Sequence, residues 1–253
     1  CGIDIISLVY ILSCPGNAIR SAQEMAGRMP EFADFTFAEK LYMGLANVER
    51  IFIAELDPVY FVVAAVLVLL VYRKTGDYRK TLLAGIPALL LFGQAVVRVS
   101  HPSLKKVFVR PEQTTHWDWH ALVTYMPLVF LVLSVWGILY ALWQLADGVW
   151  KHYLWTAFLL AGGFAMGVVM GFSPTIYASA NRPYLYLYFV LIYVCADAVW
   201  NMGGMKAVWK TGSSDAVRKM PVPEKLMFTV LGLLVLANIL DVTRMCWLLG
   251  RLL

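Results

Sequence analysis

Charge is scarce in this chain. Only 15% of its 253 residues are Asp, Glu, Lys or Arg, against roughly a quarter in a soluble domain, and 60% are hydrophobic. That balance excludes an ordinary water-soluble globule. Cysteine is nearly absent as well. Cys1, Cys14, Cys195 and Cys246 are far apart and form no C-x-x-C pair, which argues against a disulfide framework and a cysteine metal site. Three of the four lie in or beside apolar segments, where cysteine behaves as a small hydrophobe. The sequence also lacks an initiator Met and a cleavable signal segment. Its first apolar stretch, Ile3 to Leu12, is too short to cross a bilayer before "CPGN" interrupts it. Such a start is expected of a sequence that begins partway into a longer protein; a Cys1 left by lipoprotein processing is the alternative.

What the chain has in abundance is apolar sequence. Its mean hydropathy is +0.69, and apolar segments run over residues 2–13, 58–72, 81–99, 121–143, 154–172, 184–205 and 227–247. Several approach the roughly 20 residues that a membrane-spanning helix needs. The expectation is an all-α fold, a polytopic transmembrane helix bundle of about seven apolar segments with an outer amphipathic interfacial helix, residues 1–253 forming a single transmembrane domain. Pro58, after Asp57, starts a helix where its missing N–H costs nothing. Pro87 and Pro127 fall inside apolar segments and predict kinks.

The net charge of +5 then reads as a topology signal and gives no reason to expect nucleic acid. "RKTGDYRK" (73–80) carries four cations, and 206–225 carries five. These connections, with the one around 144–153 by alternation, are assigned to the cytoplasmic side, the basic loop spanning 206–226. The 15–57 segment, the 100–119 loop and the 173–183 loop fall on the opposite face. Within 15–57, Phe37, Leu41, Leu45, Val48 and Phe52 recur at helical spacing, with Glu39, Lys40, Glu49 and Arg50 elsewhere around the axis. An amphipathic helix follows, either lying in the membrane interface or packed on the outer ends of the bundle.

Three outer segments carry chemistry. In "GFSPTIYASANRP" (171–183), Ser173, Thr175, Tyr177 and Ser179 supply hydroxyls, Asn181 an amide and Arg182 a fixed charge. That set suits phosphate or carbohydrate oxygens, and it equally suits an interfacial turn with a snorkelling arginine. "CPGNAIR" predicts a turn at Pro15 and Gly16, with Asn17 and Arg20 either binding or capping. In "HWDWH", Asp118 lies between His116 and His120, which reads as an acid/base residue or as a helix cap; a metal would need further ligands, and none is assigned. Before the first of these loops, Gly163, Gly167 and Gly171 recur every four residues, a ladder that lets a second backbone approach closely; it reads first as a structural packing post that delivers the loop, and it would also suit a membrane-protein partner. Among ionisable residues at membrane depth, Asp197 has no sequence-local partner and requires one from another helix or must be protonated. Asp241 and Arg244 are spaced to pair on one helix.

"CPGNAIR" and "GFSPTIYASANR" resemble motifs of a group of bacterial multi-pass membrane proteins linked to surface-polysaccharide assembly, which look related to glycosyltransferases of the GT-C type. Asn17, Arg20, Ser173, Pro174, Thr175, Tyr177, Ser179 and Arg182 match, and Ala180 stands where the family has glycine. The resemblance covers roughly residues 5–200, its strength lying in the two short motifs. It implies a polyprenyl-phosphate-linked saccharide as substrate, no cofactor, surrounding membrane lipids, and a place in the bacterial cytoplasmic membrane with the motif loops extracytoplasmic. Such enzymes use an acidic base in the first outer loop, which would lie N-terminal to this sequence. The chain is then either the C-terminal part of such an enzyme or a protein of other activity, such as a flippase or a membrane subunit, and Asp118 is the best remaining base.

Overall fold

The computed structural model describes residues 15–27, 29–100, 119, 122–146, 148–177 and 184–202. Every regular element among them is helical. In chain order these are α1 (Pro15–Gly27), a 3₁₀ turn (Pro30–Ala33), α2 (Phe37–Glu49) running into a π-helical turn (Arg50–Ala54), α3 (Pro58–Thr75), α4 (Tyr78–Ala84), α5 (Ile86–Ser100), α6 (Leu122–Leu145), α7 (Trp150–Val169) ending in a 3₁₀ turn (Met170–Phe172), and α8 (Leu185–Asn201).

Among the described residues, three helical stretches are long and apolar enough to cross a membrane: Pro58–Thr75, Thr124–Leu145 and Trp150–Phe172. A fourth arises if α4 and the Ile86–Val97 part of α5, bent by 61° at Gly85, count as one span. Helix α8 is apolar but shorter. Of the seven expected segments, 2–13 and 227–247 lie outside the described residues, so three to four spans are what stands. The bend falls where Pro87 removes the amide that would bond back to Leu83. Pro127, by contrast, lies within α6 as one continuous helix.

The chain forms two compact units. The first comprises 1–57, 90–133 and 161–187, and the second 58–89, 134–160 and 188–253, with α5 to α8 each contributing to both.

In the first unit, α2 is set by its start. Thr36 caps it with a reciprocal capping box: the Thr36 hydroxyl accepts from Glu39 N–H while the Glu39 carboxylate accepts from Thr36 N–H at 2.7 Å. This satisfies two otherwise orphaned donors. Met29, Phe32, Phe35, Tyr42, Met43 and Ile176 form the apolar core beneath it. The helix crosses the end of α7 at backbone contact. A Cβ on Gly44 would overlap the Val168 carbonyl, and one on Gly171 would overlap the backbone of Lys40 and Gly44. The second backbone predicted for the glycine ladder is therefore the chain's own α2. Gly167 is filled likewise, by Val48 and the Tyr184 ring.

In the second unit, α3 ends at Gly76 in the left-handed region, φ +62°, whose N–H closes on the Tyr72 carbonyl at 2.8 Å. Asp77 then caps α4 by accepting from Arg79 N–H at 2.8 Å. Lys74 donates to the Leu145 carbonyl at 2.8 Å, satisfying the last turn of α6. Tyr60 and Ser134 share a buried hydrogen bond between α3 and α6. The Pro87 ring sits against Gly137, where a Cβ would overlap it.

Candidate functional site

The amphipathic helix buries only the C-terminal part of the expected stripe: Val48 and Phe52 are buried, Leu45 is half-buried, and Phe37 and Leu41 are exposed. Phe37 is 71% exposed, while Asn47 and Glu49 are each 2% exposed. The buried residues of α2 are Tyr42, Met43, Gly44, Asn47, Val48 and Glu49. Close approach at Gly44 fixes the rotation of α2: only the glycine face can meet the α7 backbone, and that face carries Asn47 and Val48 inward with it. Tyr42 holds the same rotation by donating to the Thr124 carbonyl at 2.8 Å.

Burying polar side chains is costly unless they are hydrogen-bonded, and Asn47 has its partners. Its amide donates to the Tyr184 hydroxyl, and its carbonyl oxygen accepts from Arg50 Nε at 2.9 Å. Arg50 opens the π turn, a distortion often found at functional sites. Its side chain is 13% exposed; it pairs with Glu55, and its guanidinium lies 5.9 Å from the centroid of the Tyr177 ring. Leu56, directly after Glu55, has φ +60°, a conformation that a branched non-glycine residue adopts only when its surroundings impose it. A part-buried arginine, two tyrosines, an asparagine and a strained turn thus meet in one unit.

The motif residues fall around this network in different ways. Tyr177 belongs to it through Arg50. Ser173 and Thr175 share a hydroxyl–hydroxyl bond of 2.8 Å, and Ser173 Oγ also accepts from Thr175 N–H. Pro174 and Ile176 are buried. The first half of the loop is thus a self-capped turn that anchors Tyr177. Asn17 and Arg20 lie on the backbone of α1, which Pro15 opens at the first helical position, so "PGNAIR" is the start of a helix and not a turn outside one. Their side chains, like Ser179, Asn181, Arg182, Asp118, His116 and His120, lie outside what is described.

Sequence reasoning missed Arg50, Asn47 and Tyr184. It treated Arg50 and Glu49 as polar residues off the apolar stripe. One signal was available: Gly44 in mid-helix costs roughly 1 kcal/mol relative to alanine, which implies a packing reason and so a buried glycine face.

A second polar cluster belongs to the other unit. Asp197 on α8 receives its partner from another helix, His152 of α7, at 2.8 Å. It also has a local one: Asn201, four residues on, donates to Asp197 Oδ1 at 3.1 Å. The expectation that Asp197 lacks a sequence-local partner is corrected accordingly. No group of three or more His, Cys, Asp and Glu suited to a metal occurs among the described residues. No family model, curated protein or solved structure matches this chain.

Proposed function

We propose that the chain is a multi-pass protein of the bacterial cytoplasmic membrane that acts on a polyprenyl-phosphate-linked saccharide at the extracytoplasmic face, as a GT-C-like glycosyltransferase or the C-terminal bundle of one. The observation that carries the reading is the seating of Tyr177, a motif residue, against the part-buried Arg50. An arginine held this way is preorganised, so it can stabilise negative charge on a phosphate leaving group without reorganising during the reaction. In this scheme Arg20, Arg50 and Arg182 hold the carrier phosphate. Asn17, Ser179 and Asn181 position sugar hydroxyls, Ser173 and Thr175 fix the turn that presents Tyr177, and Asp118 accepts the acceptor's proton.

The test is transfer from a polyprenyl-phosphate sugar by the full chain in nanodiscs. Arg182→Ala, Arg20→Ala and Asp118→Asn each abolish transfer while insertion and oligomeric profile stay as in the parent. Full activity in all three, correctly folded, contradicts the proposal.

A flippase for the same lipid is the second reading, favoured by one observation, the His152–Asp197–Asn201 cluster on apolar helices. It predicts movement of labelled lipid between leaflets with no new glycosidic bond. A non-catalytic membrane subunit is the third reading; of the ladder Gly163, Gly167 and Gly171 proposed to dock a partner, Gly167 and Gly171 pack within the chain against α2, Val48 and Tyr184.

A further inference from the structure

The His152 cluster in the second unit takes no part in the proposed transfer, and its geometry points to a ligand of its own. Nε2 of His152 lies 2.8 Å from Asp197 Oδ2, a contact that requires a proton between them. The same Nε2 lies 3.1 Å from Nδ2 of Asn201, whose N–H requires a lone pair to accept it. One nitrogen, with a single lone pair, does not meet both demands at once, whichever partner holds the proton. With the proton on Nε2, the ring donates to Asp197 and the Asn201 amide serves Oδ1 alone, at 3.1 Å. With the proton on Oδ2, the carboxyl donates into the Nε2 lone pair, and the Asn201 amide again serves Oδ1.

We propose that His152, Asp197 and Asn201 form a proton-binding site, in which one exchangeable proton occupies either His152 Nε2 or Asp197 Oδ2 and is traded with water. The setting supports exchange. The His152 side chain is 37% exposed and that of Asp197 19%, and the three groups line a small surface cleft with Tyr153 and Thr156. Thr156 is occupied by the His152 carbonyl, to which its hydroxyl donates at 2.9 Å. The remaining lining is apolar, and Asp197 stands on an apolar helix, where a carboxylate is costly unless paired or protonated. The other ionisable groups at the cleft are Tyr153, on its wall, and Lys74 of α3, which is tied to the carbonyl of Leu145 on the same wall. The site needs no saccharide and stands whether or not the proposed transfer activity does.

The experiment is ¹H–¹⁵N NMR of the full chain in nanodiscs with only histidine labelled, scanned over about pH 5 to 8, the range in which histidine ordinarily changes charge. The chain has four histidines, and His152→Gln identifies the signal by its loss. The expected result is a hydrogen-bonded imidazole N–H from His152 whose ring nitrogens move with pH, and the loss of that N–H signal in Asp197→Asn. His152 nitrogens that stay fixed across the range in the parent protein overturn the proposal, and so does an unchanged signal in a folded Asp197→Asn. The parent titration needs no variant, so a variant that fails to insert does not spare the proposal.

Discussion

At the residue scale, two glycines and one asparagine decide how the first unit is put together. Gly44 and Gly171 bring two backbones into contact, and an added methyl at either meets main-chain atoms that cannot move aside. Overpacking of this kind costs about 1–3 kcal/mol. Gly44→Ala is therefore expected to lower the unfolding temperature in detergent, whereas Gly162→Ala, where a Cβ meets nothing within 4 Å, leaves it unchanged or raises it through better helix propensity. Thermal unfolding of both variants checks the contrast, and equal stability would contradict the backbone crossing. Asn47 matters for a different reason. Truncating it leaves the buried Tyr184 hydroxyl without the amide that now donates to it and frees Arg50 Nε. Asn47→Leu is expected to cost about 1–3 kcal/mol, the usual penalty for a buried polar group stripped of its partner. Pairing it with Tyr184→Phe recovers part of that loss; a double variant no more stable than the sum of the singles counts against the coupling.

At the scale of elements, α2 shows what a sequence discloses and what it withholds. Its existence and its amphipathic character follow from apolar residues at helical spacing; its start, at the Thr36–Glu39 box, went unread. Its rotation does not follow from that spacing. Of the expected inner stripe, Val48 and Phe52 are buried, but the glycine contact with α7 turns Tyr42, Met43 and Asn47 inward as well and leaves Phe37 outside, against Phe172 at 5.2 Å. Hydrophobic periodicity carries no information about such a contact, because its determinant is a side chain that is absent. The glycine ladder itself was legible as a close-approach surface; that its partner is the same chain was not. Asp197 is a similar case. Its need for a partner followed from one charge on an apolar helix, but the partner, His152, is 45 positions away (197 − 152) and is named only by the fold. Thr36→Ala removes the capping hydroxyl, an effect of about 0.5–2 kcal/mol on α2. Faster hydrogen exchange confined to residues 37–41 is the expected signature, and unchanged exchange there would show that tertiary contacts alone hold this end.

For the molecule as a whole, the described helices carry exposed large apolar side chains along much of their length, including Phe92, Val99, Leu122, Val132 and Phe158, each more than 60% exposed. Surfaces of this kind are stable facing lipid and aggregation-prone facing water. Scarcity of charge made that legible from composition alone. The candidate site was legible only in part. The 173–177 stretch was singled out for its hydroxyls, yet Ser173 and Thr175 bond each other, and what the stretch contributes is the seating of Tyr177 against an arginine from α2. The central claim is that this arginine belongs to a site for a polyprenyl-linked phosphate. The most direct measurement is equilibrium binding of polyprenyl phosphate to the full chain in nanodiscs, the parent compared with Arg50→Ala and Arg50→Lys. The account predicts saturable binding by the parent, a loss of about tenfold or more in Arg50→Ala, worth about 1.4 kcal/mol per decade, and incomplete rescue by lysine, which lacks the planar fork. Identical affinity in the parent and a folded Arg50→Ala, or no saturable binding by the parent, would contradict it.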